Sequence, residues 1–229
     1  MFKKRIAITI GDPLGIGPEI VVKALADAEI CNLCDYIVIG CRDALNSVSA
    51  NINWNSIYSS INDIKEIKGI TLLEIGSLEK KDYNVRQPSA KAGRLAIEFI
   101  NKGIELFLNN KIDALVTAPV SKTAIHMAGC NFQGHTEFIA QKIGNKKPVM
   151  MFVADELRVA LVTTHLSLRK VPLIIKKENI LHTITTVDKN LKDLFGIKNP
   201  RIAVCGLNPH AGEEGAFGRE ESESIKPAI

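Results

Sequence analysis

Arg5-Ile-Ala-Ile-Thr-Ile-Gly-Asp-Pro-Leu-Gly-Ile-Gly-Pro-Glu19 is the stretch that decides the fold. Arg5 to Ile10 is a short apolar run that reads as a strand. Gly11 to Gly17 then gives a glycine-rich turn, and a helical pattern continues through about Ala26. Pro18 suits the first helical turn, where a missing N–H costs nothing. Strand, tight turn and helix in that order open an α/β domain.

Working outward, the alternation repeats. Asp35 to Gly40 reads as a second strand, whereas residues 42–70 are rich in Asn, Ser and Ile and carry no usable period. Ser89 to about Asn109 is the clearest helix: Leu95, Phe99, Ile100, Ile104, Phe107 and Leu108 share one face. Asp113 to Val116 reads as a buried strand, followed by a short helix that Ser121 could cap. A helix is expected over Thr136–Ile143, stopped by Gly144. Pro148–Val153 and Leu157–Thr163 read as a hairpin around Ala154-Asp-Glu156. Roughly Lys177 to Phe195 is a long amphipathic helix ended by Gly196, Arg201–Gly206 reads as a strand, and a helix begins near Arg219. The fold class is α/β, with one antiparallel hairpin making the sheet mixed.

The 229 residues are 46% hydrophobic and 24% charged, an ordinary globular balance. Charge interrupts every long apolar run, so no segment reads as a membrane span, and the basic start lacks the apolar core of a secretory signal. A cytoplasmic location is expected. The net charge of +4 is spread along the chain without Arg-rich blocks, giving nucleic-acid binding little support. Cys31-Asn-Leu-Cys34 has zinc-pair spacing but no matching second pair, and the odd count of five cysteines suits reduced thiols better than a disulfide framework.

Several side chains are placed for chemistry. His165 and His210 each follow a strand-like run, a rigid mount from which two imidazoles could hold one metal ion. Thr163, Thr164 and Asn208 could orient them. A catalytic metal usually takes three protein ligands, and no third stands out. Gly11–Glu19 could present backbone N–H groups to an anion or be only a tight structural turn; its spacing matches neither the dinucleotide fingerprint nor the Walker loop. Asp12 is its most chemically able residue. In Gly134-His-Thr-Glu137, Thr136 could cap a helix whose free N–H groups favour an anion, with His135 beside it. Lys122 could hold an anion or be solvated. His126 and His182 read as structural or surface residues.

Five segments together resemble a known family, 4-hydroxythreonine-4-phosphate dehydrogenase of pyridoxal phosphate biosynthesis. They are Ile10–Glu19, Thr117-Ala-Pro-Val-Ser-Lys122, Gly134-His-Thr-Glu-Phe138, Leu157–Leu166 and Arg201–Glu213, in the family's order and across nearly the whole chain. The resemblance implies an isocitrate/isopropylmalate dehydrogenase-like mixed sheet with flanking helices. It implies one α/β region built from both ends of the chain, a central dimerisation and substrate region at about 125–210, and a homodimer with the active site at its interface. It also implies oxidation of 4-phosphooxy-L-threonine by NAD or NADP, then decarboxylation to 3-amino-2-oxopropyl phosphate. One divalent ion (zinc, magnesium, cobalt or manganese) is expected. By position His165 and His210 look like metal ligands, His135 and Thr136 like substrate contacts, and Asp12 and Lys122 like cleft-lining residues; the general base stays unassigned. Members of that family are longer at the C-terminus, where the third metal-binding histidine lies. The expected fold is thus incomplete at that end, and normal dehydrogenase activity is not expected of this chain as it stands. A paralogue acting on a four-carbon sugar-acid phosphate and an inactive remnant are the alternatives.

Overall fold

Five strands lie parallel in one sheet: β1 (Arg5–Thr9), β2 (Asp35–Gly40), β3 (Ser56–Tyr58), β4 (Ile70–Glu74) and β5 (Ala114–Thr117), in the order β3-β4-β2-β1-β5. In β1, which lies between β2 and the edge strand β5, Ile6 stands opposite Tyr36 of β2 on one side and Ala114 of β5 on the other. These coordinates are a computed structural model describing residues 3–48, 52–85, 87–144 and 147–229. The chain divides into two compact units, Met1–Lys147 and Pro148–Ile229.

Among the described residues the first unit adds the helices α1 (Gly17–Ala26), α2 (Ala28–Leu33), α3 (Arg42–Asn46), α4 (Lys80–Val85), α5 (Ala90–Leu108), α6 (Lys122–Met127) and α7 (His135–Lys142). Apolar strands covered by helices need no alternation, so Ile37, Val38, Ile39, Leu72 and Leu73 are all fully buried. That explains why β4, at the edge of the patternless 42–70 stretch, escapes a period-2 search. The Ser89 hydroxyl caps α5 by accepting the Ala92 N–H at 3.2 Å. Leu95, Phe99, Ile100 and Ile104 are buried as expected, but Phe107 and Leu108 are exposed and Leu106 is buried instead. At 100° per residue the stripe through Phe99 and Gly103 continues to Leu106, and its two successors rotate outward.

The second unit holds the hairpin of β6 (Met151–Ala154) and β7 (Leu157–Ala160), then α8 (Val171–Ile174) and α9 (Lys177–Asp193). The α/β reading holds, with the antiparallel pair in its own two-stranded sheet rather than in the main one. Asp155, first of the two loop residues, takes the positive φ of 49° that the tight turn needs. Arg201–Gly206 is not a strand: among the described residues no strand pairs with it, and an extended run becomes a ladder only when a second backbone supplies its hydrogen bonds. The buried cluster of this unit is Ile180, Ile225 and Ala228, flanked by Val162, Ile175, Ile184 and Val204.

Candidate active site

The parallel sheet reverses its strand order beside β1: the chain first moves to β2 on one side and later inserts β5 on the other. Ligands of open α/β sheets bind beyond the carboxyl ends of the strands at such a point. From β1 that edge receives Ile10, Gly11 and Asp12; from β5 it receives Ala118 through Lys122. The Asp12 N–H donates to the Pro119 carbonyl at 2.9 Å and ties the two segments together. Gly11 makes the approach possible. Its φ is +70°, and a Cβ there would strike the carbonyls of Ala118 and Pro119.

Asp12 is almost wholly buried. Its Oδ1 accepts the Leu14 N–H at 3.0 Å, and its carbonyl accepts the Gly15 N–H at 3.0 Å. Those two amides therefore serve the turn itself and are not offered to an anion. Burial pushes the Asp12 carboxyl above the ordinary range, against the lowering effect of the Leu14 N–H.

Ser121 caps α6 as expected, accepting the Ala124 N–H at 3.1 Å, and the exposed Lys122 opens that helix. α7 starts one residue earlier than expected. Its N-cap is the extended Gly134, so Thr136 is the exposed second residue of the helix and not its cap. The first helical bond runs from the Phe138 N–H to the Gly134 carbonyl at 3.1 Å, so the amides of residues 135–137 have no acceptor within the helix. The positive end of the dipole lies there too and favours a negative ligand. The His135 ring meets Phe132 edge-on, with centroids 5.3 Å apart, and its Nε2 is buried without a hydrogen-bond partner. Burial, and then the positive charge of Lys122, lower the His135 pKa, so the imidazole is neutral at pH 7. In the first unit the fold thus links Asp12 to the loop that leads into Lys122, and sets Lys122 where its charge acts on His135.

The second unit carries the two candidate metal ligands, His165 and His210. β7 ends at Ala160, and the Leu161 N–H donates to the Met150 carbonyl at 2.9 Å. His165 therefore sits beyond the strand, not at its end, in the left-handed region with φ 55°. His210 follows the unpaired 201–206 segment and opens a left-handed run: φ is 52° at His210, 53° at Ala211, 82° at Gly212, 41° at Glu213, 55° at Glu214 and 100° at Gly215. Each non-glycine residue held so costs roughly 1–2 kcal/mol. Both imidazoles are exposed, and His210 lies 6.2 Å from the Phe217 ring. Exposed imidazole nitrogens are donors that zinc or cobalt accepts. Among the described residues, however, no group of three or more His, Cys, Asp and Glu side chains is gathered to hold a metal.

Glu221 is a residue that sequence reasoning passes over. It is only 4% exposed. One oxygen accepts the N–H groups of Leu207 and Asn208, both at 2.7 Å, and the other accepts the Asn208 side-chain amide at 3.0 Å. The Asn208 hydrogen bonds hold its carboxyl down to about 2. In Arg219-Glu-Glu-Ser222 it reads as one more solvated acid; the only hint is its place just after a glycine-rich loop.

Comparison with known proteins matches residues 32–229 to the family described as pyridoxal phosphate biosynthetic protein PdxA. A 4-hydroxythreonine-4-phosphate dehydrogenase of Trichlorobacter lovleyi is 41% identical over 99% of this chain and 69% of its own length. A Clostridium botulinum protein, provisionally named D-threonate 4-phosphate dehydrogenase, is 36% identical over 99% of this chain and 69% of its own. The crystal structure of a 4-hydroxythreonine-4-phosphate dehydrogenase from Burkholderia phymatum superposes with a TM-score of 0.77 at 36% identity, covering 100% of this chain and 70% of that one.

Proposed function

The chain belongs to the PdxA family of pyridoxal phosphate biosynthetic proteins, whose named relatives are dehydrogenases, and on that premise we propose that it oxidises 4-phosphooxy-L-threonine. The product is 2-amino-3-oxo-4-phosphooxybutanoate, which loses carbon dioxide to give 3-amino-2-oxopropyl phosphate. The observation that carries this reading is the group around the start of α7: open amides, the charge of Lys122, and a neutral His135 whose Nε2 lacks a partner. A phosphorylated, anionic substrate suits that group.

In this reading His135 and Thr136 contact the substrate. A neutral imidazole can donate to one substrate oxygen without adding charge, and the Thr136 hydroxyl can donate or accept. Lys122 draws the anion toward the helix end. Asp12 and its closed turn hold the crevice edge in shape. No side chain is assigned as the general base.

His165 and His210 are the proposed ligands of one divalent ion, zinc, magnesium, cobalt or manganese, whose chemistry would be to lower the pKa of the substrate hydroxyl. NAD or NADP is the proposed hydride acceptor. The glycine-rich turn after β1 uses its Leu14 and Gly15 amides on Asp12. The proposal includes a cytoplasmic homodimer, assembled through the region of about 125–210, with the active site at the interface. No described helix is long and apolar enough to cross a membrane.

The Clostridium botulinum relative favours a second reading, oxidation of a four-carbon sugar-acid phosphate. Binding and NADH formation measured side by side with 4-phosphooxy-L-threonine and D-threonate 4-phosphate separate the two. Preference for the amino acid supports the main proposal, and preference for the sugar acid replaces it. Binding of neither phosphate refutes both.

A further inference from the structure

The left-handed run that starts at His210 needs an anchor. Backbone held in a sparsely populated region persists only where its surroundings over-determine it. Four of the six residues from His210 to Gly215 are not glycine, so the sequence itself does not favour this course. The segment is also largely exposed, and packing does not hold it.

The anchor lies on the far side of the loop. The Glu221 carboxylate is buried and takes three hydrogen bonds from Leu207 and Asn208, the residues just ahead of Pro209 and His210. Glu220 adds a fourth bond to the same strap, accepting from the Asn208 side-chain amide at 2.8 Å. The loop closes over this carboxylate at Gly212, where a Cβ would lie 2.9 Å from Glu221 Oε2 and 2.8 Å from the Gly218 carbonyl. Glu221 therefore touches the loop both before and after His210. Two of its bonds go to main-chain amides, so it holds the course of the backbone and not only a side chain.

We infer that Glu221 is a positioning residue: its buried carboxylate holds the 207–218 loop in its left-handed course and so presents His210 for metal binding. The second half rests on the proposed role of His210 as a ligand. Acting through the backbone, Glu221 needs no contact with the metal. It supplies to the ligand loop what an outer-shell carboxylate supplies to a ligand ring.

The test measures amide hydrogen exchange and Zn²⁺ affinity in the whole chain and in Glu221→Ala, Glu221→Gln and His210→Ala. In Glu221→Ala the Leu207 and Asn208 amides are expected to exchange about tenfold to a hundredfold faster, as fits the loss of bonds to a charged acceptor, while α9 keeps its protection. Zn²⁺ affinity should fall by about tenfold or more over that same range. Glu221→Gln keeps an oxygen for the two amides but turns an NH₂ toward Asn208, so it should recover part of both effects. Zn²⁺ affinity unchanged in Glu221→Ala but lost in His210→Ala overturns the positioning role. Affinity unchanged in His210→Ala overturns the ligand reading instead, and exchange at Leu207 and Asn208 still decides whether the clamp exists. Should Glu221→Ala strip protection from α9, Glu221→Gln decides: intact α9 with faster exchange at Leu207 and Asn208 but wild-type Zn²⁺ affinity refutes the proposal.

Discussion

The two units treat their apolar residues differently. In Met1–Lys147 every strand has a partner, and a continuous cluster from Ala7 to Ala118 is closed to solvent. In Pro148–Ile229 the buried cluster has three members, and Phe152, Leu157, Leu168, Leu173 and Leu194 are all more than half exposed. A groove of about 580 Å³ runs between the hairpin, α9 and the 197–205 segment, lined by Val159, Ile180, Val187, Leu191, Ile202 and Val204 among others. The difference teaches that an apolar pattern states what can be buried, whereas burial itself needs a second layer. A lone hairpin does not supply one.

The largest effect expected from this contrast is in the first core. Phe99 is fully buried on α5, and Phe99→Ala should lower unfolding free energy by about 3–5 kcal/mol in urea titration. A loss under 1 kcal/mol would mean that the sheet–helix core is far looser than described. Gly11→Ala comes next. The left-handed φ and the carbonyls of Ala118 and Pro119 leave no room for a methyl group, and a loss of about 1–3 kcal/mol is expected by the same titration.

The third prediction concerns sign, since each unit hides one carboxylate. Asp12 has its pKa raised by burial, so its contribution is complete below the ordinary value of 3.8 and is lost as pH rises through the raised value. Asp12→Asn should therefore gain stability relative to wild type on going from pH 4 to pH 7. Glu221 is the reverse. Its pKa falls from 4.5 to about 2, so its contribution is present above 4.5 and disappears as pH drops toward 2. Glu221→Gln should be weaker than wild type at pH 7 and equal to it near pH 2. Denaturation midpoints of both variants across that range would show opposite slopes; parallel slopes would break the contrast.

The smallest effect belongs to the open surface of the second unit. Leu168 is 89% exposed, and Leu168→Ser should stay within about 0.5 kcal/mol of wild type. A larger loss, read from the melting curve, would show that this face is covered in solution.

The helices α5, α6 and α9 were legible because their signals are local. Ser89 caps α5, Ser121 caps α6, and Gly196 with φ 68° follows the end of α9, each within a few residues of what it controls. The site was partly legible. His135 and Thr136 stand in one helical turn, so a short motif shows both, although the cap fell on Gly134. The strand-end mounts expected for His165 and His210 did not form, because pairing is decided by a distant backbone and not by the run itself. Glu221 was invisible for a related reason: its partner Leu207 is 14 positions away, and nothing in either residue announces the bond.

By itself, then, the sequence determined the α/β class, the helix over 90–108 and the family. All of these follow from neighbours along the chain or from motifs read in order. Only the tertiary structure decided that Asp12 reaches Pro119, that 201–206 stays unpaired, and that His210 rides on a left-handed loop clamped by Glu221. Each of those depends on a hydrogen bond between residues far apart, or on its absence, and such bonds exist only once the chain has folded.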